Sequence, residues 1–558
     1  MRKFDQYSVL TVVCLCICGT WAYGSPEVEK SSETTTLPNR VALIEDGQDA
    51  LLIRLHLIQS AQHTLDIQTF IWEDDECGHL IMNACIEAAR RGVRVRFLMD
   101  HFSPGRDMDT YATLAQAHPN LEIRRYRPPA NRLNTSRGYT LFHAAALFRN
   151  RNQRMHNKAV IADNHTALIS GRNLSNHYFN QGSDRNYRDR DVLLRGPLVD
   201  KVNTSFDDFW KYDRSVPLMD LVDVRAYVEE GLASSWVFDL SEYSSPEYLS
   251  LFKALENPSE LAEAYTARLY PVHHAEIVAD APGKNNSTGL MSLWGGGEST
   301  SMLMDVLQRA DKTIYMQSTY MIMDRRSRRF FKRLTDADPE LAIHVSTNSY
   351  ASTGNMMTYS GAFRHRPNVL RLGFQVYEFK PEPEDLHRYV PNIDSLGLVT
   401  SSRERLRPYL SIHAKVLVVD SRLAYVGSFN FDPRSMHLNT ELGILIEDER
   451  FAAELEASIQ NDMAPRNSWQ VGWRTFPLSK ANRTAERISS RLPLHLWPIA
   501  STTTFEVDKN ISPNPLAVNT NPQSRKSLGP IPDKDNWSKK RWTFRLFKSL
   551  NWLLNPLL

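Results

Sequence analysis

Residues 155–163 read Met-His-Asn-Lys-Ala-Val-Ile-Ala-Asp, and residues 412–420 read Ile-His-Ala-Lys-Val-Leu-Val-Val-Asp. Each holds the pattern H-x-K-x4-D, and each runs on to a small turn and an asparagine: Ser170-Gly171-Arg172-Asn173 in the first, Gly427-Ser428-Phe429-Asn430 in the second. The two copies agree in the spacing of His, Lys, Asp and Asn and differ in the order of the Ser/Gly pair. Such a repeat marks duplicated halves that each give half of one active site. A single H-x-K in an apolar run is more often a core histidine beside an edge lysine, and the repetition reverses that balance.

The runs 159–162 and 416–419 are short, apolar and largely β-branched, which predicts a buried strand after each H-x-K. Residues two apart on an extended chain share a face, so imidazole and ammonium reach one cavity. The motif puts His156, Lys158, Asp163, His413, Lys415 and Asp420 in the candidate catalytic set. Asp163 and Asp420 fall where the apolar runs stop, in a turn, where they hold structure rather than do chemistry. Gly171 and Gly427 allow a close passage of the returning chain, and Asn173 and Asn430 offer amide donors.

Lysine and asparagine donors around an imidazole suit a phosphate, with Lys158, Lys415, Asn173 and Asn430 on its oxygens. Two half-sites supply two imidazoles. One forms a phosphohistidine while the other protonates the leaving alcohol and then deprotonates the acceptor. The spacing does not say which attacks. A carboxylate further on holds each ring in one tautomer, the candidates being Asp191 in Arg188-Asp189-Arg190-Asp191 and Glu441 in Asn439-Thr440-Glu441. Surface ion pairing is the competing role for Asp189, Asp191 and Glu441.

With these residues in view, the chain resembles the phospholipase D superfamily and, within it, bacterial cardiolipin synthases of the C-type. The resemblance spans roughly residues 41–470. It rests on the two motifs, on the runs 61–72 and 88–96, on Asn430-Phe431-Asp432-Pro433-Arg434-Ser435 with Asn439-Thr440-Glu441, and on Asp280-Ala281-Pro282-Gly283-Lys284. It implies two α/β sandwich domains with mixed sheets, related by a pseudo-twofold axis and sharing one active site. It also implies metal-free, cofactor-free transfer of a phosphatidyl group between phospholipids, giving cardiolipin and a released alcohol. Phosphatidylglycerol is the expected acceptor, with phosphatidylethanolamine as a further candidate substrate. A hydrolytic phospholipase D, secreted or not, is the alternative, and a phosphodiesterase of nucleic acid a more distant one. Where this family often has Gly-Gly or Gly-Ser in the first turn, the chain has Ser170-Gly171.

The rest of the chain agrees with work at a membrane surface. At 558 residues, 42% hydrophobic and 23% charged, it has room for two globular domains and tails. A net charge of +2 says nothing about nucleic acid, whereas the lack of a strongly basic domain argues against it as a partner. Arg2 and Lys3 precede an apolar run at 9–18, and Ala22-Tyr23-Gly24 supplies small residues, so residues 1–24 are taken as a signal cut after Gly24. An uncleaved anchor is the alternative, and lipidation at Cys14, Cys16 or Cys18 a further one. Export places the protein on the periplasmic face of the inner membrane or in the cell envelope, or in the medium if it is secreted. Beyond this segment only Cys77 and Cys85 remain, expected as buried thiols with no zinc cluster.

Residues 25–40 are a polar tether. The first domain is placed at 41–235, a connector at 236–290, the second domain at 291–475, a linker at 476–535 and a membrane-surface helix at 536–558. Each half is expected to run strand, helix, strand: 64–71, 77–91 and 93–99, then 313–322, 325–334 and 341–347. Arg124, Arg125, Arg127, Arg132 and Arg137 stand among aromatics between the early strands and the first motif. They form either a headgroup-binding surface or a solvated basic loop. On a helical wheel Trp542, Leu546, Leu550, Leu553 and Leu554 share one arc opposite Arg541, Arg545 and Lys548, the pattern of a helix in an anionic membrane interface, or of one packed on the domain.

Overall fold

The structure, a computed structural model, describes residues 38–103, 107–135, 153–234, 243, 245–284, 296–396, 398–399, 405–489, 497–508 and 525–532. The signal segment, most of the tether, Arg137 and the terminal helix lie outside the described residues. Among those described, no helix is long and apolar enough to cross a membrane.

Two large mixed sheets repeat one plan. The first contains, in spatial order, Asn39–Ile44, Asp191–Arg195, Thr166–Ser170, Ala159–Ala162, Thr64–Thr69, Arg94–Asp100, Leu121–Tyr126 and Ser215–Pro217. The second contains His274–Ala279, Leu442–Glu447, Leu423–Gly427, Val416–Val419, Thr313–Gln317, Ala342–Asn348, Gln375–Phe379 and Ser468–Trp473 in the same order. In both, the strands at positions five to seven run parallel and the other neighbours antiparallel.

The sheets are sandwiched by alternation. Val41, Leu43, Ala159, Ile161, Val192 and Leu194 meet Val416, Val418, Ala424, Val426, Ile444 and Ile446 in one central core, with helices Val199–Trp210 and Glu449–Met463. The other face of the first sheet, with Ile67, Phe97 and Leu168, packs on helices Gly47–Ser60 and Glu76–Arg90. The other face of the second, with Ile314, Leu417 and Val345, packs on Glu298–Gln308 and Arg325–Ala337. Period-two side-chain alternation therefore builds both a domain core and the joint between domains. Cys77 and Cys85 are free and buried, as expected.

Three boundaries differ from the sequence reading. The connector at 236–290 contributes strands to both sheets: Tyr270–Val272 pairs with Asn39–Ile44 in the first, and His274–Ala279 pairs with Leu442–Glu447 in the second. The second domain thus begins at His274 rather than 291, because its first strand is the counterpart of Asn39–Ile44. The supposed linker at 476–535 contains helix Ser479–Ser489 and strands Thr502–Val507 and Arg525–Gly529, which extend the second sheet beyond Ser468–Trp473. Its threonines are polar yet β-branched, and strand geometry suits them. The arginines also differ. Arg124 and Arg125 lie in strand Leu121–Tyr126, Arg124 over Trp210 at 4.3 Å and Arg125 buried over Tyr111 at 4.7 Å. They serve packing, as guanidiniums on aromatic faces do.

Candidate active site

Both histidines stand just ahead of the strands that follow them. His156 donates its backbone N–H to Thr440 O at 3.0 Å, and His413 donates to Arg188 O at 2.8 Å. Each motif is thus stitched to the opposite lobe, the second through a parallel pairing of Tyr409–Ile412 with Arg185–Arg188.

The side chains repeat this exchange. His156 Nδ1 lies 2.8 Å from Glu441 Oε2, and His413 Nδ1 lies 2.5 Å from Asp189 Oδ2. Glu441 matches the expectation. Asp191 does not: it is a buried partner of Arg54 Nη1 at 2.9 Å and accepts from Ser170 Oγ at 2.6 Å. Alternation along Arg188–Asp189–Arg190 explains the choice, since Arg188 and Arg190 both turn to Asp462 of the second lobe and leave Asp189 on the opposite face. Arg172 Nη2 donates to Asp189 O at 2.6 Å and fixes that segment further. A methyl group built on Gly171 would stand 2.3 Å from Asp189 Oδ1, so the glycine makes room for the acid. At the matching position Ser428 donates to Glu441 Oε2 at 2.5 Å.

Glu441 has its own brace. Asp280 accepts from Glu441 N at 3.0 Å and returns a backbone N–H to Glu441 O at 3.0 Å. Lys284 pairs with Asp280 at 2.9 Å and donates to Ser435 O at 2.8 Å, while Gly283 N donates to Tyr126 Oη of the first lobe at 2.9 Å. The Asp280–Lys284 run thereby ties the acid of one lobe to the sheet of the other.

The lysines complete the cavity. Lys158 Nζ donates to His156 O at 2.5 Å and stands 5.4 Å from the Phe70 ring centre. Lys415 Nζ lies 2.8 Å from His413 Nδ1 and 3.2 Å from Nε2. Asn173 is partly committed, accepting from Ile71 N at 3.2 Å and donating to Tyr178 Oη at 2.8 Å. That hydroxyl is 3.3 Å from His413 Nε2, so Asn173 positions Tyr178, a site residue with no signal in the motif. Asn430 Oδ1 is buried without a partner. His156 Nε2 has no protein partner among the described residues.

Burial sets the protonation. It pushes His156 down to about 4, helped by Lys158 and Lys415 and resisted by Glu441. Burial and Lys415 push His413 down to about 3. Both rings are neutral at rest, each with a lone pair available at Nε2 when the acid holds the Nδ1 proton. Burial lowers Lys415 to about 8 and Lys158 well below the lysine range. For the acids burial acts upward and is outweighed: Lys415 and His413 hold Asp189 well below the carboxylate range, and His156 and Lys158 hold Glu441 below it. The site combines two neutral imidazoles with the amines of Lys158 and Lys415, and with two carboxylates held on the Nδ1 side of the rings.

Asp163 and Asp420 leave the candidate catalytic set. Asp163 accepts the backbone N–H groups of Gln62, His63 and Thr64 at 2.7–2.9 Å, and Asp420 those of Asp311, Lys312 and Thr313 at 2.7–2.8 Å. Both have left-handed backbones, φ 52° and 53°, which aspartate tolerates. Their place is the turn, as their position after the apolar runs suggests.

Residues 55–210 and 303–463 each match the family described as cardiolipin synthase, PLD-like domain. The chain belongs to that family. Within this cardiolipin synthase family it is 32% identical to cardiolipin synthase C of Escherichia coli over 422 residues, covering 73% of this chain and 81% of that protein. An uncharacterised protein of Helicobacter pylori is 30% identical over 457 residues, covering 81% and 84%. Among solved structures, phosphatidylserine synthase of Haemophilus influenzae matches with a TM-score of 0.49 and 13% identity, covering 76% of this chain and 89% of that one. The resemblance seen in the two motifs is borne out, and the protein is an enzyme of the phosphatidyltransferase kind with two phospholipase D-like halves.

Proposed function

We propose that the protein makes cardiolipin by moving a phosphatidyl group from one phospholipid to the hydroxyl of phosphatidylglycerol, through a phosphohistidine on His156. The observation that carries this reading is the pair of crossed acid–imidazole contacts, Glu441 to His156 and Asp189 to His413. It is supported by kinship with proteins described as cardiolipin synthases.

In this scheme His156 Nε2, the ring nitrogen without a protein partner, attacks phosphorus. The bond from phosphorus to the donor's alcohol oxygen breaks, and that oxygen takes a proton from His413 Nε2. The acceptor hydroxyl then gives its proton to His413 as its oxygen forms the new bond to phosphorus, and the phosphorus–nitrogen bond breaks. Lys158, Lys415 and Asn430 hold the phosphate oxygens, while Glu441 and Asp189 keep each ring oriented. His413 is neutral in the empty site, so it takes a proton from solvent as the lipid binds, the anionic charge favouring the imidazolium. Water competes with the acceptor for the intermediate, and a site seated on the bilayer favours the lipid. Residues 1–24 and 536–558 suit such a location on the outer face of the inner membrane.

Purified full-length protein incubated with phosphatidylglycerol vesicles tests the reading by mass spectrometry. Cardiolipin with released glycerol is expected. Phosphatidic acid as sole product would make the protein a hydrolase.

A further inference from the structure

The second lobe has an apolar slot that the chemistry above does not use. It lies between helices Glu298–Gln308 and Arg325–Ala337, walled by Leu303, Met304, Met321, Met323, Phe330 and Phe331. Its floor includes Phe429 and Phe431, the residues on either side of Asn430, and Met436. Phe429 in turn follows Ser428, whose hydroxyl is bonded to Glu441. The slot therefore adjoins the loop that carries Asn430.

Its chemistry is one-sided. The two hydroxyls in its wall are already committed: Ser327 Oγ donates to Asp324 at 2.7 Å and Thr300 Oγ1 to Met436 O at 3.0 Å. What remains is sulfur, aromatic and aliphatic surface. Met304, Met321, Met323 and Met436 are unbranched and re-pack around an irregular apolar guest more readily than Leu or Val would. A ligand with polar groups along its length would find no partners there, whereas an alkyl chain needs none.

The outer side of the same wall indicates where that chain comes from. Helix Arg325–Ala337 turns Phe330 and Phe331 inward and leaves Arg325, Arg326, Arg329, Lys332 and Arg333 exposed. Lys332 is paired with Asp336 at 2.6 Å, whereas Arg325, Arg326, Arg329 and Arg333 form no ion pair among the described residues. A helix with a cationic outer face beside an apolar opening suits a layer of anionic headgroups over acyl chains. A nucleic acid would meet the cations and leave the slot without a role.

We propose that this slot takes one acyl chain of a phospholipid substrate, drawn from an anionic bilayer on which the arginines of the 325–337 helix rest. The proposal deepens the phosphatidyl-transfer reading and rests on it. It assigns the second lobe a specificity site for chain length, reached from the phosphate site along Asn430 and its two phenylalanines.

Two measurements test it. Wild-type protein is irradiated with vesicles of phosphatidylglycerol that has a diazirine in its acyl chain, and the adducts are mapped by peptide mass spectrometry. Adducts on the peptides of Met304, Met321 or Met436 are expected, and adducts confined to other surfaces would overturn the proposal. This readout needs no turnover, so it stands even if phosphatidic acid proves to be the product. The second compares Met304→Trp, which fills the slot, with wild type on dioleoyl and dihexanoyl phosphatidylglycerol. Each methylene accommodated favours binding roughly fourfold, so the ratio of kcat/KM for the long chain over the short one should fall about tenfold or more. An unchanged ratio would overturn the slot while leaving the reaction itself intact.

Discussion

His413 of the second lobe takes its carboxylate from the first, with Nδ1 2.5 Å from Asp189 Oδ2. Glu441 repays the exchange at His156. Each lobe thus supplies the carboxylate beside the other's imidazole, although each has a complete sheet. Replacing Asp189 by Asn, or Glu441 by Gln, keeps the shape and presents the wrong tautomer. Steady-state kinetics should show kcat falling by roughly 10²–10⁴-fold.

Asp191→Asn should behave differently. Its carboxylate joins Arg54 and Arg172 far inside the first lobe, and removing one charge leaves the others buried and unpaired. Chemical denaturation should register a loss of about 3–5 kcal/mol, with turnover per folded molecule much less affected than in Asp189→Asn.

The contrast between these two acids shows what the sequence could and could not convey. Helix Glu76–Arg90 and strands Thr64–Thr69, Arg94–Asp100 and Ala342–Asn348 were legible because period and β-branching are local properties. The swap is not local. Asp189 and Glu441 sit near the histidine of their own lobe in the chain and bond to the other, and no periodicity records that. One signal was available: Asp191 pairs with Ser170 in register as Gly443 pairs with Gly427, so Asp191 corresponds to a glycine and has no equivalent in the second site. The Asp280–Lys284 brace escaped for the same reason, since its partners Tyr126, Ser435 and Glu441 are distant in sequence. Polarity misled at 502–507, where threonines form a strand.

Gly171 tests the packing of the exchanged acid. In Gly171→Ala the added methyl meets the Asp189 carboxylate 2.3 Å away, and the acid must shift from His413. Activity should fall toward that of Asp189→Asn while the melting temperature falls less than in Asp191→Asn.

Asp163→Ala and Asp420→Ala should cost stability rather than chemistry. Each variant strands three backbone N–H groups at the start of a central strand. A loss of roughly 1–3 kcal/mol is expected in denaturant titration, with kcat per folded molecule within about threefold of wild type.

Proton balance supplies a further check. Burial holds His156 near 4 and His413 near 3, so in the free site neither ring carries a second proton at neutral pH. A phosphate anion in the cavity raises the imidazole's affinity for a proton. Calorimetry of inorganic phosphate binding in buffers of different ionisation enthalpy should therefore show uptake of about one proton. The sign follows: kcat/KM rises as pH falls from about 8, where Lys415 also loses its charge, until His156 is itself protonated near 4. Proton release on binding would contradict the assignment.

The most direct measurement is a trapping experiment on the two histidines. His413→Ala protein, quenched after mixing with phosphatidylglycerol vesicles, should have a phosphatidyl adduct on His156 by peptide mass spectrometry, and His156→Ala protein should have none. An adduct on His413 in the His156→Ala protein would contradict His156 as the nucleophile, and full cardiolipin synthesis by either variant would contradict a single site shared between the lobes.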